Sequence, residues 1–210
     1  VRGQEILSRK TASGLPPWYS VSLALYESPV ISIASIRGRA RGVGIEFAAA
    51  CDLRFASEKA IFGQVEVGVA TIPGGGSMEF LPLLIGRARA LEMIIGANDM
   101  DAVTAERYGL INRLIPDNQL DEFVFGLAKR ISGFDRVVTG LAKEMINKRA
   151  PHPSLDDMIA SRKAFVHTMQ RPERSGVAAK LKEWGIQQDN DFELNMGAYL
   201  DHIGKEEKVY

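Results

Sequence analysis

The sequence predicts an α/β fold, with strands and helical crossovers in the first half and helices alone toward the end. Three observations carry that prediction. An apolar run, Val30, Ile31, Ile33 and Ile36, follows Pro29 and suits a strand covered on both faces. It runs into Arg37-Gly38-Arg39-Ala40-Arg41-Gly42-Val43-Gly44, with three glycines in seven residues, and then into a short segment of small apolar side chains, 45–51. Beyond Pro116, apolar residues recur at helical spacing: Leu120, Phe123, Val124, Leu127 and Ile131, then Val137, Leu141, Met145 and Ile146.

The elements follow in order. Residues 1–13 are polar and lack periodicity, and Pro16 and Pro17 break any helix there. Residues 18–26 (WYSVSLALY) read as a short helix leading to the strand after Pro29. A domain that opens on a loop and then enters a buried strand lacks the neighbours that strand needs, so more chain is expected ahead of Val1. Asp52 falls at a helix end, where a negative charge is unfavourable and must cap or pair with something nearby. Residues 53–56 and 60–63 read as strands joined by the turn Ser57-Glu58-Lys59. Continued as a strand, the next piece would put Gln64 and Glu66 on one wet face, with Val65, Val67 and Val69 on the other. Pro73-Gly74-Gly75-Gly76 turns the backbone again before a helix that Ser77 is placed to cap.

From there helices alternate with breaks. Residues 87–95 are helical and Gly96 ends them; Asp101 caps a helix to Tyr108, ended by Gly109. Residues 111–115 form a short strand stopped by Pro116. After Pro151 and Pro153, Ser154 with Asp157 matches a capping box, opening a helix that carries Met158, Phe165 and Met169. Pro172 breaks the chain, Val177, Leu181 and Trp184 mark a further helix, and 192–199 another. The tail, 204–210, is charged and reads as frayed.

Composition narrows the function. The 210 residues balance 26 Lys plus Arg against 26 Asp plus Glu, which argues against a surface built for nucleic acid. One cysteine excludes an internal disulfide and a thiolate metal cluster, and fits a reducing, cytoplasmic compartment. No apolar run is long enough to span a membrane. GxxxxGK[ST], GxSxG and HExxH spacings are absent, and Gly42-Val43-Gly44 lacks the third glycine of a dinucleotide fingerprint.

Chemistry concentrates at the first glycine turn. The first N–H groups of a helix have no internal partner and lie at the positive end of its dipole, so this turn can hold an anion, or an oxygen that becomes one. Glu46 is the one carboxylate among packed side chains there. Three readings stay open on this stretch alone: Glu46 complements the dipole, it pairs with Arg39 or Arg41, or it is used in a reaction.

Taken together, residues 28–36, Gly38, Ala40, Gly42-Val43-Gly44-Ile45-Glu46 and Ala50-Cys51-Asp52 resemble the signature of the enoyl-CoA hydratase/isomerase (crotonase) superfamily. So do Phe62-Gly63-Gln64-Val65-Glu66-Val67-Gly68, Ile72-Pro73-Gly74-Gly75-Gly76, Gly86 through Glu92-Met93, and Ala105-Glu106-Arg107-Tyr108-Gly109-Leu110-Ile111-Asn112 with Pro116. The resemblance runs continuously from Pro29 to Pro116 and is looser over the late helices.

It implies a crotonase-like ββα spiral core over 1–132, lacking its N-terminal part, and a C-terminal helical region over 133–210 used for assembly. It implies that Glu46 and Glu66 face one catalytic water, that the Val43 N–H in the Gly42 turn meets the thioester oxygen, and that the Gly74 N–H helps hold the water. The family usually has Gly where this chain has Val43, and its second oxyanion N–H comes from a segment upstream of Val1. Arg39 and Arg41 stand where apolar or aromatic residues are usual; CoA phosphates or salt bridges at a subunit contact are their two candidate partners. The implied activity is syn hydration of a 2-enoyl-CoA, Glu46 as base and Glu66 as acid, with coenzyme A entering only as part of the substrate and no metal. Isomerase or other enolate chemistry, and a catalytically silent scaffold, are the alternatives. The implied assembly is a homotrimer or hexamer.

Overall fold

The computed structural model describes residues 16–150 and 153–203; the expectations for 1–13, for Pro151 and for the 204–210 tail lie outside the described residues. Helix α1 (Pro17–Glu27) begins on Pro17, whose missing N–H costs nothing in a first turn. Strand β1 (Ile33–Ile36) follows, then β2 (Arg39–Arg41), with Gly38 at φ 70° forming the corner between them. Next come α2 (Val43–Ala50), β3 (Leu53–Ser57) and β4 (Ile61–Gly63), a single 3-10 turn at Val67–Val69, then α3 (Ser77–Ile85) and α4 (Arg87–Gly96). Strand β5 (Met100–Asp101), α5 (Ala102–Tyr108) and β6 (Arg113–Ile115) complete the core.

β1, β3 and β6 form one parallel sheet in the order β1-β3-β6, with Ile33 opposite Leu53 and Phe55 opposite Arg113. β2, β4 and β5 form the other, β2 parallel to β4 and β4 antiparallel to β5. The chain therefore steps from one sheet to the other and through a helix, as β1-β2-α2 and again as β3-β4-α3. This is the ββα spiral that the resemblance implies.

Several strand assignments change, two of them near the glycine turn. The apolar run enters its sheet only at Ile33, and 39–41 is a strand where the glycine pattern predicted a turn. Arg39 pairs with Ile61, while the Gly38 carbonyl accepts from the Ile61 amide at 2.8 Å and the Gly42 amide donates to Gly63 at 3.0 Å. That partner strand lies over twenty residues on, beyond the reach of local pattern.

The main core lies between the sheets and α2 to α5, with Ile36, Ile45, Phe62, Leu81 and Leu110 buried together. Arg54 is buried among them. Its guanidinium donates to the carbonyls of Ala48 and Cys51, the open C-terminal end of α2, and to Leu110. Asp52 finds its partners as expected: Oδ2 accepts from the Ser32 amide and hydroxyl and from Nζ of Lys143, 91 residues away.

The later helices are α6 (Leu120–Ser132), α7 (Arg136–Asn147), α8 (Leu155–Met169), α9 (Arg174–Glu183), α10 (Asp191–Leu194) and α11 (Met196–Ile203). The single helix expected over 192–199 is two, separated at Asn195. α6 packs Leu120 and Val124 against Phe55 and Ile115. α9 to α11 bury Val177, Leu181, Phe192 and Met196 against Val69. The α7 stripe, Val137, Leu141, Met145 and Ile146, is exposed, and the helix sits on the core through Lys143. Among the described residues no helix is long and apolar enough to cross a membrane.

Candidate active site

The site is built on the start of α2. Gly42 takes the left-handed backbone (φ 51°), and its carbonyl accepts from the amides of Ile45 and Glu46. Because Gly42 absorbs the positive φ, Val43 has ordinary helical backbone and needs no glycine. The Val43 side chain is 61% exposed, and its amide meets no backbone carbonyl among the described residues. A Cβ on Gly42 would stand 2.8 Å from Glu66 Oε1, so glycine also permits the close approach of that carboxylate.

Glu46, one turn into α2, is 2% exposed. Its Oε1 accepts from the Gly75 amide at 2.8 Å and from the Ser77 amide at 3.5 Å. The Gly74-Gly75 peptides are fixed from the other side by α1: Trp18 Nε1 donates to the Gly75 carbonyl at 2.7 Å and the Tyr19 hydroxyl to the Gly74 carbonyl at 2.9 Å.

Glu66 arrives from the next unit of the spiral. β4 ends at Gly63 and the chain turns into the 3-10 segment, so Gln64 and Glu66 are not on a wet face. Gln64 is fully buried; its Nε2 donates to Glu66 Oε2 at 2.7 Å and its Oε1 accepts from the Ser77 hydroxyl at 2.6 Å. Ser77 therefore does not cap α3. Gly76, at φ 119°, holds the cap position and Ser77 supports the glutamine.

Val43, Glu46, Glu66, Gly74 and Gly75 line one cavity of about 400 Å³, with Trp18, Tyr19, Arg162 and Phe165. Burial, and then the Glu66 carboxylate, push the Glu46 carboxyl from its ordinary 4.5 up to about 7, against the pull of the Gly75 and Ser77 amides. Burial also raises Glu66, opposed by the Gln64 donor. A larger hollow of about 620 Å³ lies beside α7, but its buried cation, Lys143, is bonded to Leu25, Val30 and Asp52. Among the described residues no group of three His, Cys, Asp or Glu could hold a metal ion.

Arg39 and Arg41 both find partners within the chain. Arg41 forms an ion pair with Asp99 of its own chain at 2.6 Å and donates to the carbonyls of Glu193 and Leu194; Arg39 donates to Leu194. Both tie α10 to β2.

Residues 4–187 match the family model described as enoyl-CoA hydratase/isomerase. The chain belongs to that family. A Rhizobium meliloti protein named "Probable enoyl-CoA hydratase" is 36% identical over 148 residues, 70% of this chain and 56% of the relative. The crystal structure of a candidate enoyl-CoA hydratase from Streptomyces avermitilis superposes with a TM-score of 0.85 at 41% identity, over 91% of this chain and 70% of that one. A monofunctional enoyl-CoA isomerase from M. smegmatis is 35% identical, with a TM-score of 0.59 over 68% of this chain and 67% of its own. The chain spans about half the length of the curated relatives it matches. Its fold is crotonase-like, in an enzyme family that acts on acyl-CoA thioesters.

Trp18, Tyr19, Gly75, Arg162 and Phe165 were not singled out by sequence. Gly75 is one of three adjacent glycines, and Trp18 and Phe165 lie far apart in the chain, so no local pattern joins them.

Proposed function

We propose that the chain serves a CoA-thioester lyase that adds water syn across the double bond of a 2-enoyl-CoA to give a 3-hydroxyacyl-CoA. The observation that carries this reading is the convergence of Glu46 and Glu66 on one cavity at the start of α2. Each carboxylate has one oxygen fixed by a donor, Oε1 of Glu46 by Gly75 and Oε2 of Glu66 by Gln64. Both carboxylates line the same cavity, where they can address one water.

In the reaction, the thioester carbonyl oxygen gains negative charge as C2 becomes nucleophilic, and the Val43 N–H and helix dipole stabilise it; one such donor is worth about 3 kcal/mol. Water oxygen bonds to C3 and passes a proton to Glu46, while C2 takes a proton from Glu66. One proton shared by the pair is the working state, and the proximity that lifts Glu46 toward neutrality favours it. The Gly74 N–H is assigned to the water, beside the Gly75 amide on Glu46.

Crotonyl-CoA tests this, by loss of the conjugated thioester absorbance. Hydration is expected, lowered about 10²- to 10⁴-fold by Glu46→Gln and by Glu66→Gln. Intact rates in both variants overturn the assignment. Similarity to a monofunctional isomerase supports a second reading, in which the same pair moves a proton along the acyl chain. Conversion of 3-enoyl- to 2-enoyl-CoA without hydration selects it, and neither activity leaves a scaffold. The exposed apolar face of α7, within the helical region 133–210, supports assembly as a homotrimer or hexamer.

A further inference from the structure

Arg162 enters the candidate cavity from α8 together with Phe165, three residues on and so on the same helical face. Phe165 lies close over Gly74, where a Cβ would come within 2.5 Å of its ring. The Arg162 guanidinium stacks on that ring, its central carbon 5.0 Å from the ring centroid. Its field reaches the Tyr19 hydroxyl on the same wall. Yet among the described residues no carboxylate lies within ion-pairing reach of Arg162 and no acceptor takes its N–H groups. The contrast with other arginines of the chain is plain: Arg37 and Arg41 have carboxylates, and Arg54 has three carbonyls.

A guanidinium carries five donors in a fork shaped for a carboxylate, so an anionic group entering this cavity finds a matching partner in Arg162. Among the described residues lining this cavity, Arg162 is the one cation, facing a space that already holds two carboxylates. At about 400 Å³ the cavity is near the small end of ligand pockets, room for an acyl thioester but not for the nucleotide of coenzyme A as well.

We infer that the acyl group accepted here ends in a carboxylate, which Arg162 binds, so that the substrate is an ω-carboxylated 2-enoyl thioester rather than one ending in a methyl group. This rests on the thioester reading above. It makes Arg162 a specificity residue that touches substrate at the end remote from the bond being hydrated.

Binding of unreactive saturated probes tests it by calorimetry: succinyl-, glutaryl- and adipyl-CoA against butyryl-, pentanoyl- and hexanoyl-CoA. At the best-fitting length the diacid probe is expected to bind about 10- to 100-fold tighter than its methyl-ended counterpart. Arg162→Met, which keeps the stem over Phe165, brings that ratio close to one, and Arg162→Lys restores part of it. A wild-type ratio of one or below overturns the inference, and that measurement needs no variant to fold. An equal loss of both series in Arg162→Met also overturns it, because Arg162 then holds the coenzyme. Failure of both series to bind overturns the thioester reading and this inference with it, whereas methyl-ended probes binding alone defeats only the inference.

Discussion

The amide of Gly75 donates to Oε1 of Glu46 over 2.8 Å, joining residues 29 apart in the chain. The Gly74-Gly75 peptide is gripped at both ends, its carbonyl by the Tyr19 hydroxyl and its amide by the Glu46 carboxylate, while the Trp18 indole holds the next carbonyl, that of Gly75. Three elements, α1, α2 and the turn before α3, thus decide where Glu46 points. The same contact works against the electrostatics of the pocket, since the amide favours the charged carboxylate while burial and Glu66 favour the neutral one.

Gly75→Ala breaks this arrangement. A Cβ there would sit 2.1 Å from Glu46 Oε2 and 2.6 Å from Trp18 Nε1, so either the carboxylate or the indole must leave. Hydration is expected to fall at least about 100-fold, with a stability loss of about 1–3 kcal/mol in urea unfolding. Gly96→Ala is the control, because nothing lies within 4 Å of a Cβ there; it is expected to be neutral or to stabilise by up to about 1 kcal/mol.

Glu46→Gln separates activity from stability. Glu46 titrates near 7 in the folded chain against an ordinary 4.5. Below pH 4.5 it is neutral folded or unfolded and costs nothing. As pH rises through this window the unfolded chain ionises first, so the folded state loses stability, and above pH 7 the full penalty stands, at most about 3 kcal/mol. Glutamine keeps an acceptor for Gly75 without the charge. The variant is expected to melt with the wild type at pH 4 and above it at pH 8, while losing hydration; a melting gap independent of pH refutes the titration.

The spiral, Glu46 and Glu66 were legible through the family resemblance, and helix starts through local signals: Asp101 and Ser154 cap their helices, each accepting from the amide three residues on. The support around them was not. Asp52 demanded a partner, but nothing at its own position points to Lys143. The α7 stripe was legible as an apolar face, but helical spacing does not say what covers it, and the face buried in this chain is the one carrying an ammonium. The strand period that would leave Glu66 on a wet face does not run past Gly63, where a turn to 3-10 backbone brings Gln64 and Glu66 inward.

Gln64→Leu tests the link between Ser77 and Glu66. The change strands a buried hydroxyl and removes a donor that favours the charged form of Glu66, at an expected cost of about 2–4 kcal/mol. Without that donor, Glu66 keeps its proton to higher pH. If Glu66 delivers the proton to C2, the alkaline limb of the pH–rate profile shifts upward; an unmoved limb removes Glu66 from the acid role.

Lys143→Met probes how α7 is held, away from the chemistry. The ammonium is 4% exposed and meets three acceptors, Leu25 O at 2.8 Å, Val30 O at 3.1 Å and Asp52 Oδ2 at 2.8 Å. It therefore ties the end of α1, the entry to β1 and the end of α2 to one helix. Removing it leaves Asp52 charged with only Ser32 donating, and two carbonyls unmet, at an expected cost of about 3–5 kcal/mol. For a chain of this length that lowers the melting temperature by about 10 °C. Asp52→Asn alone is expected to cost less, because two of the three acceptors remain. The double variant should cost less than the sum of the two single changes, and simple additivity in that cycle would show that the pair does not act as a unit.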